Sequence, residues 1–363
     1  MKILTVIGAR PQFVKAGMVS RAILKSNSKT RHVLEERICH TGQHYDTNMS
    51  DVFFDEMNIP KPHYKLGIGG GGHGEMTGRQ LEKIERILLD DKPDGVLVYG
   101  DTNSTLAGAL AASKLHIPVF HVEAGLRSFN RNMPEEINRV LTDHVSEILF
   151  SPTLLAKKHL IREGICENRI KVVGDVMYDA AKFYASKARK PEWFDELSVE
   201  VNDFVLCTIH RAENTDDIER LRSIFRGLQR CGKPIILPLH PRTKGLIENL
   251  NLEMSNIHIV DPVGYLEMLW LEVNCNLVAT DSGGVQKEAF FQGKPCITMR
   301  GETEWVELVD AGVNILVGAD ENEIVNAISS DRWNSIQGDF YGNGNTAEKI
   351  VNIILASLIG VTQ

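Results

Sequence analysis

Residues 95–123 read GVLVYGDTNSTLAGALAASKLHIPVFHVE, and this stretch decides the fold. Gly95–Gly100 is a short apolar run, Asn103–Leu115 carries a helical pattern, and Val119–Glu123 is apolar again until its closing acid. Short strands without polar alternation are buried on both faces, which is the situation of a parallel sheet covered by helices. The same alternation recurs outward from here. Before it stands Ile3–Gly8, and after it Ile148–Ser151 and Lys171–Gly174. A second series follows with Phe204–His210, Ile235–His240, Ile257–Val260, Leu277–Thr280, Cys296–Met299 and Ile315–Val317. Helical patterns such as Glu135–Val145 and Asp217–Gln229 lie between them. The expectation is an α/β protein with two Rossmann-like domains, each built on a parallel sheet.

A chain of 363 residues exceeds what one core usually supports, which also favours two domains. The first is expected over 1–175 and the second over 195–340, with a polar linker at 185–191. The periodic segment 345–360 is expected to pack back on the first domain. A net charge of −8 argues against a general nucleic-acid binder, whose phosphate contacts need a basic surface. The six cysteines are scattered without a C-x-x-C pair, which suits reduced thiols in the cytosol. No apolar run approaches the roughly 18 residues of a membrane span, so a cytoplasmic protein is expected. The run Gly69–Gly74, with its five glycines, sits in a long loop before a helix starting near Met76, either a lid or a surface segment.

In parallel α/β sheets, ligands sit beyond the carboxyl ends of the strands. Polar residues cluster there in this chain: Gly8-Ala9-Arg10, His40 to His44, Gly100-Asp101, His121 to Glu123, His210-Arg211 and Asp281-Ser282. Six such ends across both halves point to one cleft fed by two domains. Arg10 and Lys15, near the N-terminus of the first helix, are suited to a phosphate, and Pro11 fits an early helical position. Asp281-Ser282-Gly283-Gly284 is the better phosphate candidate: Ser282 can cap a helix whose glycines let a diphosphate approach backbone N–H groups. Glu288, two turns on, could accept from ribose hydroxyls. Asp101 and Glu123 should converge on one crevice, and Glu135 opens a helix nearby; crowded carboxylates serve general acid–base chemistry. His210 can donate to a phosphate oxygen. No G-x-G-x-x-G motif or P-loop follows the first strand, and the histidines form no zinc pattern. Neither a cofactor nor a metal is implied.

Together, GARPQFVK (8–15), TGQH (41–44), YGDT (99–102), HVEAGLR (121–127), PEEINR (134–139), IHRAEN (209–214) and DSGGVQKE (281–288) resemble the non-hydrolysing UDP-N-acetylglucosamine 2-epimerases. The resemblance spans about residues 1–320. It implies a glycosyltransferase-B-like pair of Rossmann domains closing over a UDP-sugar, inversion at sugar C2 without NAD or metal, and a homodimer. It assigns acid–base roles to Asp101, Glu123 and Glu135, and assistance of UDP departure to His210. Substrate contacts fall on Arg10, Lys15, His44, Arg139, Arg242, Asp281, Ser282, Gly283, Gly284 and Glu288. RGETEWVEL (300–308), HPRT (240–243) and DPVGYLEM (261–268) further resemble a subgroup that epimerises UDP-2,3-diacetamido-2,3-dideoxy-glucuronate for surface polysaccharide. Arg242 or Arg300 could then pair with the C6 carboxylate. The competing expectations are a glycosyltransferase of the same architecture and a non-catalytic nucleotide-sugar sensor; only an epimerase exchanges the C2 hydrogen with solvent.

Overall fold

The computed structural model describes residues 1–29, 31, 33–43, 59–239, 244–245, 247, 254–330, 333–334 and 338–361. Two candidates from the sequence, His44 and Arg242, lie outside the described residues, as does the side chain of Arg10. The chain forms two compact units, Met1–Ala180 with Asp339–Gln363, and Ala181–Gly338.

The first unit carries a seven-stranded sheet in the order β3-β2-β1-β4-β5-β6-β7. Its strands are β1 Lys2–Ile7, β2 Glu35–His40, β3 Tyr64–Lys65, β4 Gly95–Tyr99, β5 Val119–Val122, β6 Ile148–Ser151 and β7 Ile170–Val172. Every neighbouring pair is parallel. Val96, Leu97, Val98 and Tyr99 of β4 are all fully buried, so both faces of this central strand are covered, as its unbroken apolar run requires. The helix Asn103–Lys114 lies close against the sheet because its inner face is made of small residues. A Cβ on Gly108 would sit 3.2 Å from Val6. Thr102 starts that helix by accepting the Thr105 N–H at 3.2 Å, an N-cap worth about 1 kcal/mol. Tyr99 pairs with Val122, so Asp101 and Glu123, each just beyond a paired end, leave the sheet at the same edge. The strand order turns back between β1 and β4, where open α/β sheets form their crevice.

The C-terminal helix Thr346–Val361 belongs to this unit and lies against the helix Arg10–Asn27. Asp179 caps its start, accepting the Thr346 and Ala347 amides at 3.1 and 2.7 Å. Gly174 lets the chain pass there: it has φ +102°, and a Cβ would lie 2.7 Å from the Tyr341 carbonyl.

The second unit has six strands in the order β10-β9-β8-β11-β12-β13, again all parallel. They are β8 Val205–Thr208, β9 Ile235–Pro238, β10 Ile257–Val260, β11 Leu277–Thr280, β12 Cys296–Thr298 and β13 Asn314–Leu316. Its core packs Val205, Cys207, Leu221, Phe225, Ile235 and Ile297. The order turns back between β8 and β11, the strands that lead into His210 and Asp281.

Two expectations are corrected. The sequence reading includes no strand at 35–40 or 64–65, yet both join the first sheet, and the glycine-rich loop ends sooner, since its helix starts at His73. No helix among the described residues is long and apolar enough to cross a membrane.

Candidate active site

The floor of the first unit's crevice is built from side chains that leave room for nothing else. Gly8 ends β1, and a Cβ there would collide with Ser104 Oγ and Thr41 Oγ1. Those two hydroxyls share a hydrogen bond of 2.7 Å, and the Ser104 hydroxyl donates to Gln43 Oε1 at 2.8 Å. Gln12, buried in the first helix, accepts the Gly8 and Ala9 N–H groups at 2.7 and 3.1 Å. Its amide donates to the Tyr99 carbonyl at 2.7 Å and to the Thr102 and Thr105 hydroxyls. Gln12 therefore ties β1 to the end of β4. It also occupies amides that the sequence reading had left for a phosphate.

Three carboxylates occupy this end of the sheet in different states. Asp101 pairs with Arg139 at 2.7 Å, and Asn138 donates to the Asp101 carbonyl at 2.9 Å. Glu123 pairs with Lys15, both nearly buried. A Cβ on Gly100 would be 3.3 Å from Glu123 Oε2 and 3.8 Å from Lys15 Nζ, so the turn after β4 passes close to that pair. Glu123 has φ +72°, a strained conformation for a residue with a Cβ, of the kind that concentrates at functional sites. Glu135 is half-buried in the first turn of the helix Pro134–Val145 and makes no ion pair among the described residues. Its neighbour Glu136 is consumed structurally: it accepts from the Ser128 and Phe129 amides at 3.0 and 3.1 Å and pairs with Arg139 at 2.7 Å. Arg139 is buried between Asp101 and Glu136. It is thereby a fixed partner for Asp101 in this structure.

In the second unit, Asp281 is fully buried at the end of β11. It accepts the His210 and Arg211 amides at 3.1 and 3.0 Å, the Asn214 amide at 3.1 Å, and sits 3.0 Å from His210 Nδ1. Burial pushes its carboxyl up, but His210 and these donors outweigh that and hold it below the usual carboxylate range. Asp281 thus orients His210 in this structure. The imidazole of His210 is exposed, with Nδ1 turned to the acid and Nε2 left for a ligand. Ser282 caps the helix Gly283–Phe291, accepting the Val285 N–H at 3.5 Å. Glu288 is half-buried one helix face further on, against the wholly buried Glu272. Burial and the neighbouring Glu288 push the Glu272 carboxyl well above its ordinary value. Arg300 is buried and paired with Glu304 at 3.1 Å. Gln12, His121, Asp143 and Glu272 are the contributors that the sequence reading passed over as site residues. His121 and Glu272 stand among apolar neighbours in VFHV and YLEMLWLEVN, and that mismatch was the signal; Gln12 and Asp143 lie in mixed helices that gave none.

The family model described as UDP-N-acetylglucosamine 2-epimerase matches residues 26–355. A Pseudomonas aeruginosa relative named UDP-2,3-diacetamido-2,3-dideoxy-D-glucuronate 2-epimerase is 55% identical, covering 98% of this chain and 99% of its own. Among solved structures, the Methanocaldococcus jannaschii UDP-GlcNAc 2-epimerase in complex with UDP-GlcNAc and UDP is 47% identical. It superposes with a TM-score of 0.86, covering 98% of this chain and 100% of that one. The Neisseria meningitidis UDP-GlcNAc 2-epimerase bound to UDP-GlcNAc is 31% identical with a TM-score of 0.87, covering 98% and 100%. Two parallel-sheet α/β units thus agree with the fold of these relatives, and the chain belongs to the UDP-N-acetylglucosamine 2-epimerase family of carbohydrate isomerases.

Proposed function

We propose that this enzyme inverts C2 of UDP-2,3-diacetamido-2,3-dideoxy-glucuronate, giving the mannuronate form for surface polysaccharide. The observation that carries the reaction type is the pair Asp101 and Glu123, each held against a cation at adjoining strand ends, with Glu135 beside them in sequence order of the motif. The C2 hydrogen is not next to a carbonyl, so direct deprotonation would leave an unstabilised carbanion. Departure of UDP from C1 removes this obstacle, because C1 becomes electron-poor and loss of the C2 proton gives a 2-acetamido glycal. Reprotonation on the opposite face, with return of UDP to C1, completes the inversion. Two or more carboxylates are needed because the proton leaves one face and arrives on the other.

The diphosphate is assigned to the Ser282–Gly284 turn, where a helix N-terminus favours an anion, with His210 donating to a leaving oxygen and Glu288 on the ribose. The choice of sugar is supported by the 55% identity to the Pseudomonas relative over nearly the whole chain. UDP-GlcNAc is the second reading, favoured by the 47% identity to an enzyme solved with that ligand. A panel of UDP-sugars with and without the C3 acetamido and C6 carboxylate, assayed in deuterium oxide, decides between them. The uronate is expected to epimerise fastest with deuterium at C2, and Arg242→Ala to lose that preference. Equal rates for UDP-GlcNAc would reverse the order of the two readings.

A homodimer is proposed as the assembly, through the face that carries exposed Phe129, Ile137 and Leu141 around a cavity of about 400 Å³. Exposed apolar groups clustered this way commonly mark protein contacts. Light scattering is expected to give twice the chain mass, and Phe129→Glu to shift it toward the monomer; an unshifted dimer would relocate the interface.

A further inference from the structure

Beneath the two paired carboxylates lies a buried polar network that the reaction scheme does not use. His121 is in β5, two residues before Glu123, and is fully buried. Its Nδ1 is 2.7 Å from Asp143 Oδ1, and its Nε2 is 2.7 Å from the Gly100 carbonyl. A carbonyl oxygen only accepts, so Nε2 donates. The Asp143 carboxylate already accepts the Gly125 amide at 3.1 Å and faces Arg127 at 2.8 Å, so Nδ1 donates as well. The ring therefore carries both protons. Arg127 in turn holds Glu163 with two contacts of 2.7 and 2.6 Å, and His144 lies 3.7 Å from the same acid. These groups form one linked network under the ends of β4 and β5. What it contributes is geometry. Gly100 has φ +62°, and its peptide leads directly into Asp101.

We propose that His121 is a positioning residue for the epimerisation: as a doubly protonated imidazolium it clamps the Gly100 carbonyl and thereby fixes the spacing of Asp101 and Glu123. Asp143 is the group that keeps the clamp in register, since one carboxylate holds the ring, the Gly125 amide after Glu123, and Arg127. This rests on the proposed reaction, in which two carboxylates must face the same sugar carbon. A displacement of about 1 Å in such an arrangement costs on the order of 100-fold in rate without loosening ligand binding.

The test combines kinetics and nuclear magnetic resonance on the full-length enzyme. His121→Phe keeps the ring shape without donors, and is expected to lower kcat about 100-fold with KM within about threefold. His121→Gln still offers an N–H toward the Gly100 carbonyl and is expected to recover at least about tenfold of that loss. Rates are normalised to UDP-binding sites, so a fall that only tracks unfolded protein is removed. In ¹⁵N-histidine-labelled wild type at neutral pH, the resonance pair missing from His121→Gln should show two protonated ring nitrogens. A normalised kcat for His121→Phe within about threefold of wild type, or a signal from an unprotonated His121 nitrogen, overturns the proposal. Should His121→Phe not fold, the ring signal and the His121→Gln rate still decide. Absence of deuterium at C2 with the wild type would instead refute the reaction itself and leave the ring measurement standing.

Discussion

Glu123→Gln and Asp101→Asn are each expected to lower the turnover of C2 epimerisation by about a thousandfold, the scale of a lost general acid or base. The substitutions keep volume and hydrogen-bonding shape while removing the ability to take up a proton. Binding of UDP should change little, because neither carboxylate is assigned to the nucleotide. The two variants should differ in stability, however. Lys15 and Glu123 are both nearly buried, so the Gln variant leaves an ammonium without its counter-charge, a situation that costs several kcal/mol inside a protein. Asp101 is the more exposed partner of Arg139, which retains Glu136, and its variant should lose activity without a comparable loss of stability. Proton NMR in deuterium oxide reads exchange at C2, and titration with UDP confirms the folded fraction. Exchange within tenfold of wild type in either variant would remove that residue from the acid–base set.

The second large effect falls on the fold. Asp143→Ala removes an anion with no solvent exposure and leaves His121, Arg127 and the Gly125 amide facing one another without it. A loss of about 3–5 kcal/mol is expected, as for other broken buried ion pairs, read as a lower urea midpoint with an unchanged slope. Burial alone would push the Asp143 carboxyl up, but the His121 and Arg127 cations prevail and hold it below the usual carboxylate range. Asp281 is lowered in the same sense. A carboxyl whose folded value lies below its unfolded value near 3.9 stabilises fully above that pH and loses the contribution as the pH falls through the folded value. Wild-type stability should therefore fall steeply below about pH 4, and the slope should be shallower in Asp143→Ala. Equal slopes would mean that Asp143 titrates normally.

Most of the architecture was legible because the strands carry it themselves. Ile148–Ser151, Ile257–Val260 and Leu277–Thr280 are apolar runs too short for helices, and the observed strands have these same bounds. Strand β2 was hidden because it reads EERICH, with three charged residues at its start. Its inward acid, Glu36, is tolerated by the Thr5 hydroxyl at 2.6 Å, a compensation that becomes visible only once β1 lies alongside. The candidate residues were legible where they follow strands, as with Asp101, Glu123 and His210. Their roles were not, because a role depends on what each side chain finds across the fold. Asp281 and Arg139 look like ligand contacts in the sequence and are taken up by His210 and Asp101 in space. Glu136 and Glu135 are indistinguishable as letters, yet only the former caps the 128–129 turn.

The left-handed backbone at Glu123 carries a consequence for the enzyme's evolution. A glycine would occupy that conformation without steric cost, and a less comfortable residue is held there, as the proposed acid–base role requires. Relaxing it to glycine alone would strand the nearly buried Lys15 ammonium, so selection for heat tolerance would have to change both positions together. Robust but inert descendants would then need two substitutions, which guards the position against drift in lineages under weak metabolic demand.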